Sequence, residues 1–161
     1  MHKILIILMF VLVGFLIKFV LFNTIGGFFT PNVMLLLVVF FNLFWGIRHA
    51  LVTAVWAGTL EDSFGAGPFG IHLFSLVVAA FATVLLKRTI YQAGSGSSRF
   101  ILVLIVSAIN LFTQYILYLM LGSMDFFQLL RNLFIPEVLL TALSAYVVFR
   151  ALKKCVSKLY V

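Results

Sequence analysis

Six apolar stretches, separated by short polar gaps, occupy almost the whole of this chain, and the gaps are too small to hold a folded soluble domain. They run approximately over 4–22, 32–45, 48–61, 69–87, 100–121 and 133–150. A helix that crosses a bilayer needs about 20 predominantly apolar residues, with a range of roughly 17–25. The first and the last three stretches meet that length. The second is short, and the apolar part of the third, Ala50–Leu60, covers about half of a ~30 Å hydrocarbon layer unless its polar flanks are drawn in. Composition supports the same solvent. The 161 residues are 65% hydrophobic and 9% charged, whereas soluble domains carry roughly 45–50% apolar and about 25% charged residues. A soluble fold of this size would leave apolar surface exposed and aggregate. The expected fold is therefore all-α: one domain over residues 1–161, a bundle of six transmembrane helices. Phe22-Asn23-Thr24-Ile25-Gly26 lacks a small-x-small cleavage pattern, so the first stretch is expected to persist as a helix.

Charge gives the orientation. The net charge of +7 comes from 11 basic and 4 acidic residues, and the basic ones alternate from gap to gap. Lys3 precedes the first stretch, and the next gap is uncharged. Arg48 stands beside His49 in the second gap. Glu61 and Asp62 occupy the third, and Lys87, Arg88 and Arg99 the fourth. The fifth holds Asp125 and Arg131, and Arg150, Lys153, Lys154 and Lys158 follow the last stretch. Lys and Arg concentrate on the cytoplasmic side of short loops, which puts both termini in the cytoplasm. The basic excess thus reads as contact with anionic lipid headgroups and not with nucleic acid. Cys155 is the single cysteine, which excludes an intramolecular disulfide and a cysteine metal cluster.

The corner between the third and fourth stretches is the least ordinary segment. Gly58-Thr59-Leu60-Glu61-Asp62 is followed by Ser63-Phe64-Gly65-Ala66-Gly67-Pro68-Phe69-Gly70. Glycine permits positive φ and close backbone approach, and Pro68 suits a first helical turn. Irregular backbone at membrane depth is tolerated only when buried in protein or lining a wet cavity. The corner is either an interfacial turn with its acids in headgroup water, or a re-entrant segment packed on other helices or on a partner. Ala50, Ala54 and Gly58 fall at four-residue spacing, as do Ser75, Ala79 and Thr83. Such faces let helix backbones approach closely in lipid, within the chain or against a partner.

Lys18 and Glu137 are ionisable groups inside apolar stretches, at similar depth near the outer face. Lys18 either snorkels to the headgroups or pairs with Glu137. Pro136 marks the first turn of the last stretch. His2, His49 and His72 show no metal-ligand spacing. No nucleophile with a base, phosphate loop or metal triad is present, so no catalytic, cofactor or metal residue is assigned.

The order Pro31-Asn32-Val33, Gly46, the Gly58…Asp62…Gly65-Ala66-Gly67-Pro68-Phe69-Gly70 corner, and Pro136 in the last stretch resembles the MreD family of bacterial rod shape-determining membrane proteins. The resemblance covers nearly the whole chain and is best defined over Pro31–Leu86. Thr141 stands where the family often carries an Asn. The resemblance implies a multi-pass protein of the bacterial cytoplasmic (inner) membrane, with a fold similar to the S subunit of energy-coupling-factor transporters. It implies a non-enzymatic scaffold of the rod elongation complex, without cofactor, that supports peptidoglycan synthesis and cell shape. Its implied partners are an MreC-like bitopic protein and, through it, a class B penicillin-binding transpeptidase, the RodA glycosyltransferase and the MreB filament. The expected contact and packing residues are Lys18, Pro31, Ala50, Ala54, Gly58, Glu61, Asp62, Gly65, Gly67, Pro68, Gly70, Pro136 and Glu137. An S-type vitamin-binding subunit is the alternative. It is disfavoured because Ile4–Val13 holds no alanine for docking an energy-coupling subunit, and the first outer loop is short and uncharged. A small membrane enzyme using Glu61, Asp62 and His72 is a third reading.

Overall fold

The computed structural model describes residues 2–25, 30–65, 67–89, 96–121 and 134–159. Ala66, Asp125 and Arg131 lie outside these. The described residues form six helices: α1 (His2–Ile25), α2 (Val33–Trp45), α3 (Ile47–Phe64), α4 (Ile71–Thr89), α5 (Gly96–Met120) and α6 (Phe134–Leu159). No strand occurs among them. By length and composition, three are apolar and long enough to cross a membrane: the α1 segment Lys3–Thr24, α4, and the α5 segment Ser97–Met120. Two ends differ from the sequence expectation. Gly96, Ser97 and Ser98, which precede the apolar stretch 100–121, begin α5, where small polar residues suit the unpaired N–H groups of a first turn. The basic segment after Arg150 continues α6 to Leu159, because Leu152 still finds a buried place.

Helix α2 is the centre of the fold. Every residue from Val33 to Leu43 is buried, and α2 touches all five other helices. Those five form an arc around it in the order α1, α3, α4, α5, α6, each packed on the next. Leu35, Leu36, Phe40 and Phe41 fill the core with Ile7 and Val11 of α1 and Phe149 of α6. The one amide in this run, Asn42, donates from Nδ2 to the Ala80 carbonyl of α4 at 2.7 Å. Hydroxyls elsewhere bond back to their own helix, as Thr53 does to the His49 carbonyl at 2.8 Å and Thr83 to Ala79 at 2.7 Å. The outside is the reverse of a soluble protein. Leu5, Met9, Leu16 and Phe19 of α1, Phe74 and Leu85 of α4, and Leu143 and Val147 of α6 are exposed. A continuous apolar exterior of this kind belongs against lipid.

Alternation of helix direction separates the charges. At one end Lys3 Nζ lies 5.9 Å from the Trp45 ring centre, and Lys87 Nζ donates to the Leu43 carbonyl at 2.9 Å. Arg48, Arg88, Arg99 and the α6 bases Arg150, Lys153 and Lys154 belong to the same basic end by helix direction. The other end holds Glu61, Asp62 and Glu137, with Lys18 among them.

Candidate functional site

The acidic end contains a polar network that ties the outer helices together. Lys18 of α1 reaches inward, and its Nζ forms an ion pair with Glu61 Oε1 at the C-terminal turn of α3. Glu61 is 6% exposed. Its second oxygen, Oε2, is buried without a hydrogen bond and lies 3.5 Å from His72 Nδ1 of α4. His72 Nδ1 is 3.2 Å from Gln114 Nε2 of α5, and that nitrogen also donates to Ser75 Oγ at 3.2 Å. A second cell begins at Asn32, the cap of α2. Its Oδ1 accepts from Leu35 N at 3.0 Å, its Nδ2 donates to Glu137 Oε1 at 3.3 Å, and its backbone N–H donates to Thr141 Oγ1 at 2.9 Å. Glu137 is within electrostatic reach of Lys18. A charge inside a bundle survives when paired in this way, and removing one partner leaves the other buried and uncompensated.

Lys18 therefore neither snorkels nor takes Glu137 as its direct partner. Its partner is Glu61, because α1 packs on α3, whereas Glu137 is already held by the Asn32 amide. Glu61 and Asp62 do not sit in an interfacial turn. Both belong to the last turn of α3 and are buried. Asp62 spends both oxygens on α4: Oδ1 accepts from His72 N at 3.0 Å and Oδ2 from Leu73 N at 3.1 Å. The carboxylate caps a helix N-terminus across the corner, where the exposed N–H groups and the helix dipole both favour negative charge.

The glycines that shape the corner do so for different reasons. A Cβ on Gly58 would lie 2.3 Å from Leu73 Cα and 2.7 Å from its nitrogen, so α3 and α4 meet backbone to backbone there. Gly70 has φ +103°, a left-handed conformation that side chains disfavour, and its carbonyl accepts the first α4 bond from Phe74 N at 2.9 Å. A Cβ on Gly65 would press on the Glu61 carbonyl at 2.9 Å, and one on Gly67 would meet Tyr118 Oη at 3.0 Å. Pro68 precedes α4 by three positions, outside its first turn. Ala50, Ala54 and Gly58, and Ser75, Ala79 and Thr83, are all buried within the chain. Those faces are taken by internal packing and are not open to a partner. Pro31 sits just before the Asn32 cap, and Val33 N donates to its carbonyl at 2.9 Å. Pro136 lies in the first turn of α6.

Four participants escape the sequence reading as site residues: Asn32, Ser75, Gln114 and Thr141. Asn32 carries a detectable signal, an Asn immediately before an apolar run. Gln114 carries one as well. Ser107, Asn110 and Gln114 fall at helical spacing in an otherwise apolar stretch, and all three are buried. Thr141 enters through its hydroxyl, which accepts from the Asn32 backbone N–H. Among the described residues, no three His, Cys, Asp or Glu side chains are placed to hold a metal ion.

A helical bundle with an apolar exterior, a buried polar network at one end and basic residues at the other has the make-up of a membrane protein. The family model described as rod shape-determining protein MreD matches residues 1–158. The chain belongs to the MreD family, a family of shape-determining membrane proteins. No curated protein and no solved structure matches the chain.

Proposed function

We propose that this chain is a non-enzymatic scaffold of the bacterial rod elongation complex. In this reading all six helices lie in the inner membrane, with both termini cytoplasmic and an arrangement similar to that of S-type transporter subunits. The protein binds an MreC-like bitopic partner. Through that partner it supports the class B transpeptidase, the RodA glycosyltransferase and the MreB filament in peptidoglycan synthesis. The observation that carries the reading is the family match over residues 1–158. The charge separation supports the orientation, since the basic end is the one expected in the cytoplasm. The filled interior around α2 weighs against a vitamin-binding subunit, because Phe40, Phe41 and their neighbours occupy the centre of the described bundle.

The contact surface we assign is the outward side of the α3–α4 corner and not its small-residue face. Phe64 and Phe69 are 70% and 68% exposed, at a corner where Asp62 ties the end of α3 to the start of α4. Exposed aromatics at such a corner suit the anchor role that these residues take at interfaces. Co-purification in mild detergent tests both levels. The wild type is expected to retain a bitopic coiled-coil protein, and Phe69→Glu to lose it while the bundle stays folded. Retention of an ATPase pair or a tightly held vitamin would overturn the scaffold reading. Undiminished retention by Phe69→Glu would move the contact surface elsewhere.

A further inference from the structure

We propose that His72 and Glu61 form a proton-binding site that adds a side-chain tie from α4 to α3 and releases one of the two that Gln114 of α5 makes to α4. The starting point is an imbalance. Glu61 Oε2 is a carboxylate oxygen in a residue 6% exposed, and no hydrogen bond reaches it. Buried acceptors without donors are rare and costly, most of all when charged. The nearest polar atom recorded beside it is His72 Nδ1 at 3.5 Å. That nitrogen is already occupied as an acceptor, because Gln114 Nε2 is an amide donor and uses its two hydrogens on His72 Nδ1 and Ser75 Oγ. In this state two lone-pair sites, Nδ1 and Oε2, face each other.

Charge gives the same answer. Around the pair, α1 contributes Lys18, α3 contributes Glu61 and Asp62, α5 contributes Tyr118 and α6 contributes Glu137. Asp62 is satisfied by two backbone N–H groups at the start of α4. Counted with it, three carboxylates, Glu61, Asp62 and Glu137, stand against the single ammonium of Lys18. One added proton lowers that excess of negative charge, and histidine is the side chain suited to take one. The His72 side chain is 25% exposed, which leaves the ring open to a proton from outside the bundle.

The step involves no bond beyond the proton itself. A proton from water binds Nδ1, the ring becomes an imidazolium, and Nδ1–H donates to Glu61 Oε2. The gap closes from 3.5 Å toward the ~2.7–2.9 Å of a charge-assisted bond. Nδ1 can no longer accept from Gln114, which keeps Ser75. The side-chain tie of α4 to α5 through His72 is exchanged for one to α3, and the ion-paired Lys18 links that change to α1.

The test is 15N NMR of the full chain, labelled in histidine and held in phosphatidylglycerol-containing nanodiscs, between about pH 8 and about pH 5.5. His→Asn variants assign the three histidines. The expected result is a His72 Nδ1 that is unprotonated at high pH and protonated and hydrogen-bonded at low pH. In Glu61→Gln the Nδ1–H is expected to exchange with water about ten-fold faster, from loss of the charged acceptor. A His72 Nδ1 that stays unprotonated throughout would overturn the proposal, as would equal exchange in Glu61→Gln. Should that variant fail to fold, wild-type 13C–15N recoupling between Glu61 Cδ and His72 Nδ1 decides. A contact that strengthens at low pH supports the switch, and one that does not change refutes it.

Discussion

Gly58→Ala adds a single methyl group and is expected to be among the costliest small changes available in this chain. The new Cβ would lie 2.3 Å from Leu73 Cα, whereas carbon atoms in contact rest about 3.5–4.0 Å apart. Helices α3 and α4 must therefore separate locally by about 1.2–1.7 Å. Overpacking of this kind costs about 1–3 kcal/mol. The separation also stretches the bond from Leu73 N to Asp62 Oδ2, now 3.1 Å, and a lost hydrogen bond to a charged group costs roughly 1.5–3 kcal/mol. Alanine returns about 1 kcal/mol in helix propensity. The net expectation is a loss of about 1.5–5 kcal/mol. Far-UV circular dichroism during titration of detergent micelles with dodecyl sulfate measures it. Gly14→Ala is the control. Its Cβ would crowd Leu37 Cδ1 at 2.9 Å, the movable end of a side chain, and meet Val33 Cγ1 at an ordinary 3.5 Å, so its cost stays under about 1 kcal/mol. A Gly58→Ala protein as stable as the Gly14→Ala protein would refute the backbone-to-backbone contact.

The remaining predictions concern the polar network. Lys18→Met and Glu61→Gln are each expected to lose about 3–5 kcal/mol, and the double variant clearly less than the sum; strict additivity in the same titration would break the pair apart. Asp62→Ala removes two acceptors from the start of α4 and is expected to cost about 2–4 kcal/mol, with faster amide hydrogen exchange at His72 and Leu73; unchanged protection there would deny the cap. Asn32→Ala gives up the cap on Leu35 and the donor to Glu137, for about 2–3 kcal/mol, whereas Asn32→Asp keeps the cap but sets a second carboxylate beside Glu137. Asp is therefore expected to be no better than Ala when the two are compared by thermal melting.

Most of the bundle can be read from the spacing of apolar residues, because the requirement for lipid-facing surface is written in composition. The family is also readable, from the corner glycines and the prolines. What composition does not encode is the partner of each interior charge. Lys18 and Glu137 lie at matching depth on a linear map, and only the arc of helices around α2 turns Lys18 toward Glu61. Asp62 illustrates the same limit: an acid after an apolar run looks solvated until the next helix begins directly above it. Gln114 and Ser75 bond across α4 and α5, a relation that no single stretch displays. The small residues of α3 signalled close packing correctly, but not that their own chain would occupy the whole face.

The enclosure of α2 bears on how the protein is made. Its 13 residues rise about 20 Å, two-thirds of a ~30 Å hydrocarbon layer. Lipid alone is therefore a poor host for it, and its neighbours are its solvent. A helix of this sort gains its stability from the helices that enclose it, so α2 is expected to order only as α1, α3 and α4 close around it.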